Sequence, residues 1–202
     1  MLKKTTVAWV LGALLFTAVS TAKADNLQLF INRADFGGDD VADWGQLGPC
    51  STSIPNPFSA TSVSGLGITG VFDRGVGQVV VQTVCGWFGN FASGDVLVWT
   101  NAPSGRGPLT LSFSAPIVGA GAKIQADDFG PFTGLIEAFS GDVSLGFVTE
   151  DGNSTPRGDN SAIFIGVKDL DGPNITSLVI SLTAAPISTT DFAINQLSLQ
   201  SI

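Results

Sequence analysis

The sequence has 202 residues, of which seventeen are acidic and nine basic, and it contains neither histidine nor tyrosine. Without histidine, Ser-His-Asp and Cys-His catalytic triads and His-ligated metal sites are excluded. The net charge of −8 at pH 7 disfavours nucleic acids and anionic lipids as partners, because affinity for phosphate comes from lysine and arginine, and it favours divalent cations or neutral ligands.

The first 24 residues have the three-part pattern of a signal peptide. Residues 1–4 carry two lysines, residues 7–19 form an apolar run, and residues 21–24 supply the small residues of a cleavage site. The apolar run is shorter than the ~20 residues that span a bilayer, which favours a signal peptide over the alternative of an uncleaved anchor helix. Cleavage after Ala24 would leave six basic residues against seventeen acidic ones, a net charge near −11. We therefore expect a secreted protein, extracellular or periplasmic, with no membrane span after cleavage.

Residues 25–202 are predicted to form one domain made mainly of strands. Only residues 33–47 could be helical, as one or two short turns. Residues 79–81 and 163–165 are apolar on both faces, which is typical of strands covered on both sides. Residues 109–113 and 176–183 alternate between apolar and polar side chains, which predicts strands with one solvated face.

The last segment changes its alternation. Phe192 and Ile194 share one face of the predicted strand, whereas Leu197 and Leu199 share the other. A β-bulge near residues 195–196 would bring all four side chains into one core. Short strands separated by glycine- and proline-rich turns predict an all-β fold, an antiparallel β-sandwich of jelly-roll-like type.

The two cysteines, Cys50 and Cys85, are predicted to form a disulfide, because an even number of cysteines in an exported chain is typical of that bond. Two reduced, buried thiols are the alternative. A bond that closes this loop would stabilise the fold by about 4 kcal/mol in the chain-entropy treatment.

Several segments together resemble a known group of proteins. They are residues 43–49 (DWGQLGP), 89–95 (GNFASGD), 98–100 (VWT), 119–127 (GAGAKIQAD), 130–133 (GPFT), 161–167 (SAIFIGV) and 191–199 (DFAINQLSL). The chain resembles the secreted bacterial β-sandwich proteins that often carry a C-terminal PEP-CTERM sorting signal. The Pro-Glu-Pro motif, apolar helix and basic cluster of that signal are absent here, which favours a released protein. The resemblance implies an exported domain of the matrix or envelope and no catalytic residues.

Three acidic groups are candidates for a structural Ca²⁺ site. They are Asp127 with Asp128 at the end of a strand, Asp169 with Asp171 in a turn, and Asp191 near the last strand. Ca²⁺ binds six to eight oxygens in irregular geometry, which the loops at one end of a sandwich could supply. The alternative for each group is ordinary turn chemistry, in which the side chain bonds its own backbone.

A cluster of aromatic residues beside Cys85 is a candidate ligand-binding platform. It consists of Trp87, Phe88 and Phe91 together with the amide Asn90. Sugar rings stack on exposed aromatic faces, so this loop could bind carbohydrate. The alternative is that the rings pack over the disulfide as a small separate core.

The sequence leaves three functions open. The first is a non-catalytic protein of the extracellular matrix or cell envelope, and the second is a carbohydrate-binding module, assisted by calcium, with polysaccharide or envelope components as partners. The third is a hydrolase that uses two carboxylates, for which Glu137 and Glu150 are the only glutamates. We rank them in that order and predict that the protein is not an enzyme.

Overall fold

The computed structural model describes residues 26–100, 107–187 and 191–201. Its strands are β1 (Leu27–Phe30), β2 (Asp40–Ala42), β3 (Ser53–Ile54), β4 (Phe58–Thr61), β5 (Gly67–Phe72), β6 (Gly77–Gln82), β7 (Gly86–Trp87), β8 (Val96–Trp99), β9 (Leu109–Ile117), β10 (Gly119–Ala126), β11 (Gly130–Ser140), β12 (Val143–Ser154), β13 (Ile163–Asp169), β14 (Ile175–Ala184), β15 (Phe192–Ile194) and β16 (Leu197–Gln200). A four-residue α-helix, α1 (Arg33–Phe36), and a 3-10 helix (Trp44–Leu47) complete the described elements.

The strands form two sheets, which confirms the predicted all-β sandwich. The larger sheet has the order β1-β13-β10-β15-β8-β6-β3, with β16 between β10 and β2 and with β7 beside β6. The smaller sheet has the order β12-β11-β14-β9-β5-β4. Between β9 and β15 the chain crosses repeatedly from one sheet to the other, as it does in jelly-roll folds. Within the described residues every strand pair is antiparallel except β6 with β7.

The main core lies between the sheets and follows the alternation of the sequence. Leu178, Ile180 and Leu182 of β14 are buried, as are Leu109 and Leu111 of β9. Because successive side chains of a strand point to opposite faces, these residues point inward while the residues between them point outward. The predicted one-sided strands are confirmed.

The predicted irregularity in the last segment is also confirmed. The chain leaves regular strand geometry between β15 and β16, and Phe192, Ile194, Leu197 and Leu199 all lie in the main core. Asn195 fills the gap, since its Oδ1 accepts hydrogen bonds from the Lys123 backbone N–H (3.0 Å) and from Arg33 Nη2 (2.7 Å). The two residues between β15 and β16 therefore reverse the alternation, while Asn195 keeps a hydrogen bond to the backbone of the neighbouring strand β10.

The outer face of the larger sheet is covered as well. Val79 of β6 belongs to the main core, whereas its neighbour Val80 belongs to a second, smaller core. On β13, the ring of Phe164 contacts Phe36 of α1, with 5.8 Å between the ring centres. The two strands that are apolar on both faces are therefore covered on both sides, as predicted.

Both helical elements lie within the segment predicted to be helical, and both have recognisable caps. Asn32 Oδ1 accepts a hydrogen bond from the Ala34 N–H at 2.9 Å, and Gly37 ends α1 in the left-handed region at φ 58°. Asp43 caps the 3-10 helix through a 2.7 Å bond from the Gly45 N–H. The short strand β2 between the two helices was not predicted.

The predicted disulfide between Cys50 and Cys85 is present. It ties the segment before β3 to the loop that follows β6. The predicted signal peptide, residues 1–24, lies outside the described residues. Among the helices of the described segments, none has both the length and the apolar character needed to cross a membrane.

Candidate functional site

The loop from residue 83 to residue 95 folds back over the outer face of the larger sheet and carries the aromatic cluster. The exposed fractions are 3 % for Trp87, 0 % for Phe91, 1 % for Asn90 and 64 % for Phe88. The prediction that the rings of Trp87 and Phe91 form a stacking platform is therefore wrong, because a buried ring offers no face to a sugar. Only the ring of Phe88 is available to solvent.

Trp87 and Phe91 are buried because they cover apolar side chains that the larger sheet presents outward. They form the second core with Val80 of β6, Leu97 of β8 and Ala193 of β15, as well as Ala162. The Trp87 ring packs edge-on against Phe91 at 6.1 Å and against Trp99 at 6.0 Å. The alternative considered for the aromatic residues was a small separate core over the disulfide; the small core is present, and its members come from the sheet and the loop rather than from the cysteines.

Two buried glutamines hold the loop in place. The amide of Gln82 is bound at both ends by Gly89, since Nε2 donates to the Gly89 carbonyl (2.9 Å) and Oε1 accepts from the Gly89 N–H (3.1 Å). Gln125 Oε1 accepts from the Asn90 N–H at 2.6 Å and from Trp87 Nε1 at 3.4 Å. These bonds satisfy polar groups that would otherwise be costly to bury.

Asn90 continues this network toward the surface. Its Oδ1 accepts from the Thr155 N–H (2.6 Å) and from Gln125 Nε2 (3.1 Å). Its Nδ2 donates to Thr155 Oγ1 at 2.7 Å, Ser161 Oγ at 2.9 Å and Asp159 Oδ1 at 3.1 Å. One buried amide therefore fixes the side chains and backbone of the loop between β12 and β13.

That loop and the end of β12 enclose a polar cleft of about 430 Å³. Nearly all of its lining residues carry hydrogen-bonding side chains: Asn90, Asp151, Asn153, Thr155, Arg157, Asp159 and Ser161, with Gly152 and Ile163 completing the wall. Asn90, one of the predicted ligand-binding residues, lies in this cleft. We take the polar cleft as the candidate functional site.

The polar cleft carries charges of both signs. The hydrogen bond from Ser161 Oγ, helped by the one from Asn90, lowers the pKa of Asp159 to about 2, so this carboxylate is charged at any physiological pH. Asp151 accepts a 2.7 Å hydrogen bond from Thr133 Oγ1. Arg157 is exposed and forms no ion pair within the described residues. Two held acceptors, Asp159 and Asp151, and one exposed donor, Arg157, therefore line the same cleft.

Another cleft, of about 460 Å³, lies between α1 and β2. Its lining includes the backbone of Gly37 and Gly38 and the exposed side chain of Val63. Arg33, which lines it, is bonded to the buried Asn195, but this cleft has fewer hydrogen-bonding side chains than the polar cleft. We therefore do not assign the functional site there.

The acidic residues considered for calcium are only partly brought together. Asp127, Asp128 and Asp191 lie close enough to interact, and burial, with the two neighbouring carboxylates, raises the pKa of Asp127 to about 6. The Asp127 N–H donates to the Asp191 carbonyl at 2.8 Å. Within the described residues, no group of three or more acidic or thiol side chains has the geometry of a metal site.

Asp169 and Asp171 lie at the turn between β13 and β14, away from the other acidic candidates in sequence. Asp169 is buried, and its two oxygens accept from the Asp171 N–H (2.9 Å) and from Asn174 Nδ2 (3.0 Å). Asp171 Oδ1 accepts from Asn26 Nδ2 at 2.5 Å. This arrangement is turn chemistry, the alternative considered for these residues.

The two glutamates do not face each other across a cleft. Glu137 pairs with Phe147, and Glu150 pairs with Gly134, three positions farther from the turn of the same hairpin. Since positions 147 and 150 differ by three along β12 without a bulge, their side chains lie on opposite faces of the smaller sheet. The two-carboxylate arrangement of a glycosidase is therefore not formed by this pair.

Sequence reasoning missed most of the polar cleft. The loop residues Thr155, Arg157, Asp159 and Ser161 were not singled out, although residues 155–161 form a dense run of polar and turn-forming residues. That run is equally typical of any surface turn. Comparison with protein-family models, curated proteins and solved structures finds no match to this chain.

Proposed function

We propose that this chain is an exported, non-catalytic β-sandwich module of the extracellular matrix or cell envelope that binds carbohydrate in the polar cleft. The observation that carries the proposal is the network running from buried Gln125 through Asn90 to Asp159 and Ser161. A buried network that ends in an open cleft holds Thr155, Asp159 and Ser161 in one geometry. Such preorganisation lowers the entropy that a ligand loses on binding.

The chemistry of the polar cleft suits the hydroxyl groups of sugars. A hydroxyl both donates and accepts, so it pairs best with neighbouring groups of both kinds. Asp159 and Asp151 accept, Arg157 donates, and Asn153 does both. The exposed Phe88 precedes Gly89, whose carbonyl accepts from the Gly158 N–H at 2.6 Å, so an apolar ring is carried by the segment that packs on the cleft loop.

Two observations support a role without catalysis. The chain has no histidine. A group that transfers protons near neutral pH works best with a pKa near that pH, whereas the pKa of Asp159 is lowered to about 2 by Ser161 and Asn90. The carboxylate of Asp159 is suited to accept hydrogen bonds rather than to release a proton.

Export is supported by the signal-peptide pattern of the sequence and by the Cys50–Cys85 disulfide. Disulfides form and persist in oxidising compartments outside the cytoplasm. An acidic protein with little affinity for nucleic acid and with a fixed polar cleft fits a matrix or envelope rich in polysaccharide.

The proposal is tested on a glycan array that carries monosaccharides, branched glycans and the linear polymers β-1,4-glucan, β-1,4-xylan, β-1,4-mannan and α-1,4-glucan. We expect the wild-type protein to bind at least one class and Asp159→Asn to lose that binding. The matched control is Asp142→Asn, at the opposite end of the β11–β12 hairpin, which should bind normally. An array without signal would leave the purely structural role and refute carbohydrate binding.

Assistance by calcium is tested in the same experiment. We propose that one structural Ca²⁺ binds near Asp127, Asp128 and Asp191, whose segments are joined by the 2.8 Å bond from the Asp127 N–H to the Asp191 carbonyl; because the three side chains do not form a metal site by themselves, loop carbonyls would have to complete the set of oxygens. The array and a thermal melt are each run with millimolar calcium and with chelator. Identical melting and identical glycan signal in both conditions would refute the calcium proposal alone.

A further inference from the structure

A third cleft lies directly beside the polar cleft and has a volume of about 520 Å³. Its walls come from the start of β11 and from the end of β14 with the residues that follow, where Pro131, Ala184 and Pro186 supply aliphatic surface. Each of the two volumes falls within the range of about 300–1,000 Å³ found for small-molecule sites. We call this third cleft the aliphatic cleft.

The two clefts share a wall. Asp151 and Gly152 of β12 line both of them. Gly152 contributes only backbone to the shared wall, and a Cβ there would lie 2.5 Å from Cζ of the buried Phe132 ring. Asp151 is held by Thr133, a residue of the aliphatic cleft, through the 2.7 Å hydrogen bond. The two clefts therefore meet at these two residues of β12, where a ligand that fills one cleft can continue into the other.

We infer that the ligand is an internal stretch of a linear, unbranched glycan that crosses β12 at Gly152, with consecutive sugar units in the polar cleft and in the aliphatic cleft. This inference rests on the proposed function. A sugar ring has hydroxyl groups at its rim and C–H groups on its faces. The polar cleft hydrogen-bonds the rim of one unit, and the prolines and Ala184 contact the face of the next.

The experiment measures affinity against chain length by isothermal titration calorimetry. The probes are the monosaccharide and the six-unit oligomer of each of the four linear polymers on the array. For the polymer that binds, we expect the six-unit oligomer to bind at least about tenfold tighter than the monosaccharide, which corresponds to about 1.4 kcal/mol. A ligand confined to the polar cleft would show no such dependence on length.

A matched pair of variants on β14 connects the length dependence to the aliphatic cleft. Ala184→Leu adds aliphatic volume inside that cleft, and Thr183→Leu adds it at the adjacent exposed position outside it. We expect Ala184→Leu to bring the six-unit affinity close to that of the monosaccharide and to leave the latter unchanged. Thr183→Leu should alter neither.

The outcomes separate the inference from the proposed function. Equal binding of the monosaccharide and the six-unit oligomer, wild-type behaviour of Ala184→Leu, or an array signal confined to monosaccharides or branched glycans would overturn the inference while carbohydrate binding stands. If the protein binds nothing on the array and none of the probes at millimolar concentration, the inference and the proposed function are both overturned. A length dependence removed by Ala184→Leu alone would establish the two-cleft path.

Discussion

Replacing Asn90 by alanine should destabilise the protein and dismantle the polar cleft together. The substitution removes the acceptor of the Thr155 N–H and one acceptor of the buried Gln125 amide, which keeps its 2.7 Å bond to Ser154 Oγ. It also removes one of the side-chain donors to Asp159 Oδ1, which keeps the hydrogen bond from Ser161 Oγ. Leaving a buried donor without a partner costs about 1–3 kcal/mol, so the loss of these bonds should total about 3 kcal/mol.

The assay is chemical denaturation at pH 7, read by circular dichroism, with the slope of the transition checked for constancy. A loss of about 3 kcal/mol corresponds to a melting temperature lower by roughly 10 °C for a domain of this size. Asn153→Ala is the matched control, because Asn153 lines the same cleft but is exposed and makes no side-chain hydrogen bond within the described residues. It should stay within about 0.5 kcal/mol of wild type.

The comparison of the two alanine variants tests whether the hydrogen bonds of Asn90 hold the loop in place. If Asn90→Ala unfolds at the same denaturant concentration as Asn153→Ala, the hydrogen bonds of Asn90 do not hold the loop, and the cleft is not preorganised. A third variant, Asn90→Asp, keeps the shape and the acceptor but places a second carboxylate 3.1 Å from Asp159 Oδ1. It should be at least as unstable as Asn90→Ala at pH 7 and should recover stability in acid, when the new carboxyl is protonated.

Three further predictions concern the rest of the fold. Replacing Cys50 and Cys85 by serine should cost about 4 kcal/mol in denaturant unfolding, since the bond closes a loop with a sequence separation of 35; a loss below 1 kcal/mol would contradict the loop-closure reasoning. In the presence of chelator, Asp127→Asn should raise stability at pH 7 by about 1 kcal/mol after allowance for solvent screening, because burial and the neighbouring carboxylates raise the folded-state pKa of Asp127 to about 6 and the stability this contributes is lost as the pH rises through that value. The gain should vanish at pH 4, and a gain that persists there would exclude titration as its cause. Trp87→Ala should cost about 3–5 kcal/mol and Phe88→Ala less than about 0.5 kcal/mol, measured by thermal unfolding; equal losses would mean that the two rings are not buried and exposed as described.

Much of the sandwich could be predicted from alternation alone. A one-residue shift in register would expose Leu178, Ile180 and Leu182 together, so the hydrophobic pattern allows only one inward face for β14. The reversal between Ile194 and Leu197 is informative for the same reason, since only a local irregularity brings both into one core. These predictions depend on short-range periodicity, which the sequence contains in full.

The covering of the larger sheet's outer face could be predicted only in part. Val80 and Phe164 indicate that something covers their strands, but periodicity does not say which segment does so. α1 lies far in sequence from Phe164, whereas the loop that carries Trp87 follows β6 directly but also covers Ala193 of a distant strand. Which segment docks on a face depends on loop closure and on shape, which periodicity does not contain. The sequence therefore left Trp87 open between a ligand platform and a core, and the structure places it in the core.

The polar cleft escaped prediction because its signal is divided between two regions. Residues 155–161 look like any turn, and Asn90 looks like any loop amide. Their relation is a pairing between side chain and backbone, Asn90 with Thr155, that arises only after the loop has docked. A sequence pattern can locate a strand, but it does not contain the partner of a long-range hydrogen bond.

Two buried polar residues in the strands do indicate the position of the site. Gln82 and Gln125 occupy covered strand positions, where an aliphatic residue would pack without having to satisfy an amide. Each glutamine instead bonds the backbone of the loop, Gln82 at Gly89 and Gln125 at Asn90. An aliphatic core would leave those backbone groups buried without partners, so the glutamines specify where the loop sits rather than how strongly it packs. Because Asn90 then reaches the cleft, the position of its polar groups is set from inside the protein, and places where a sequence departs from simple patterning are where function is expected.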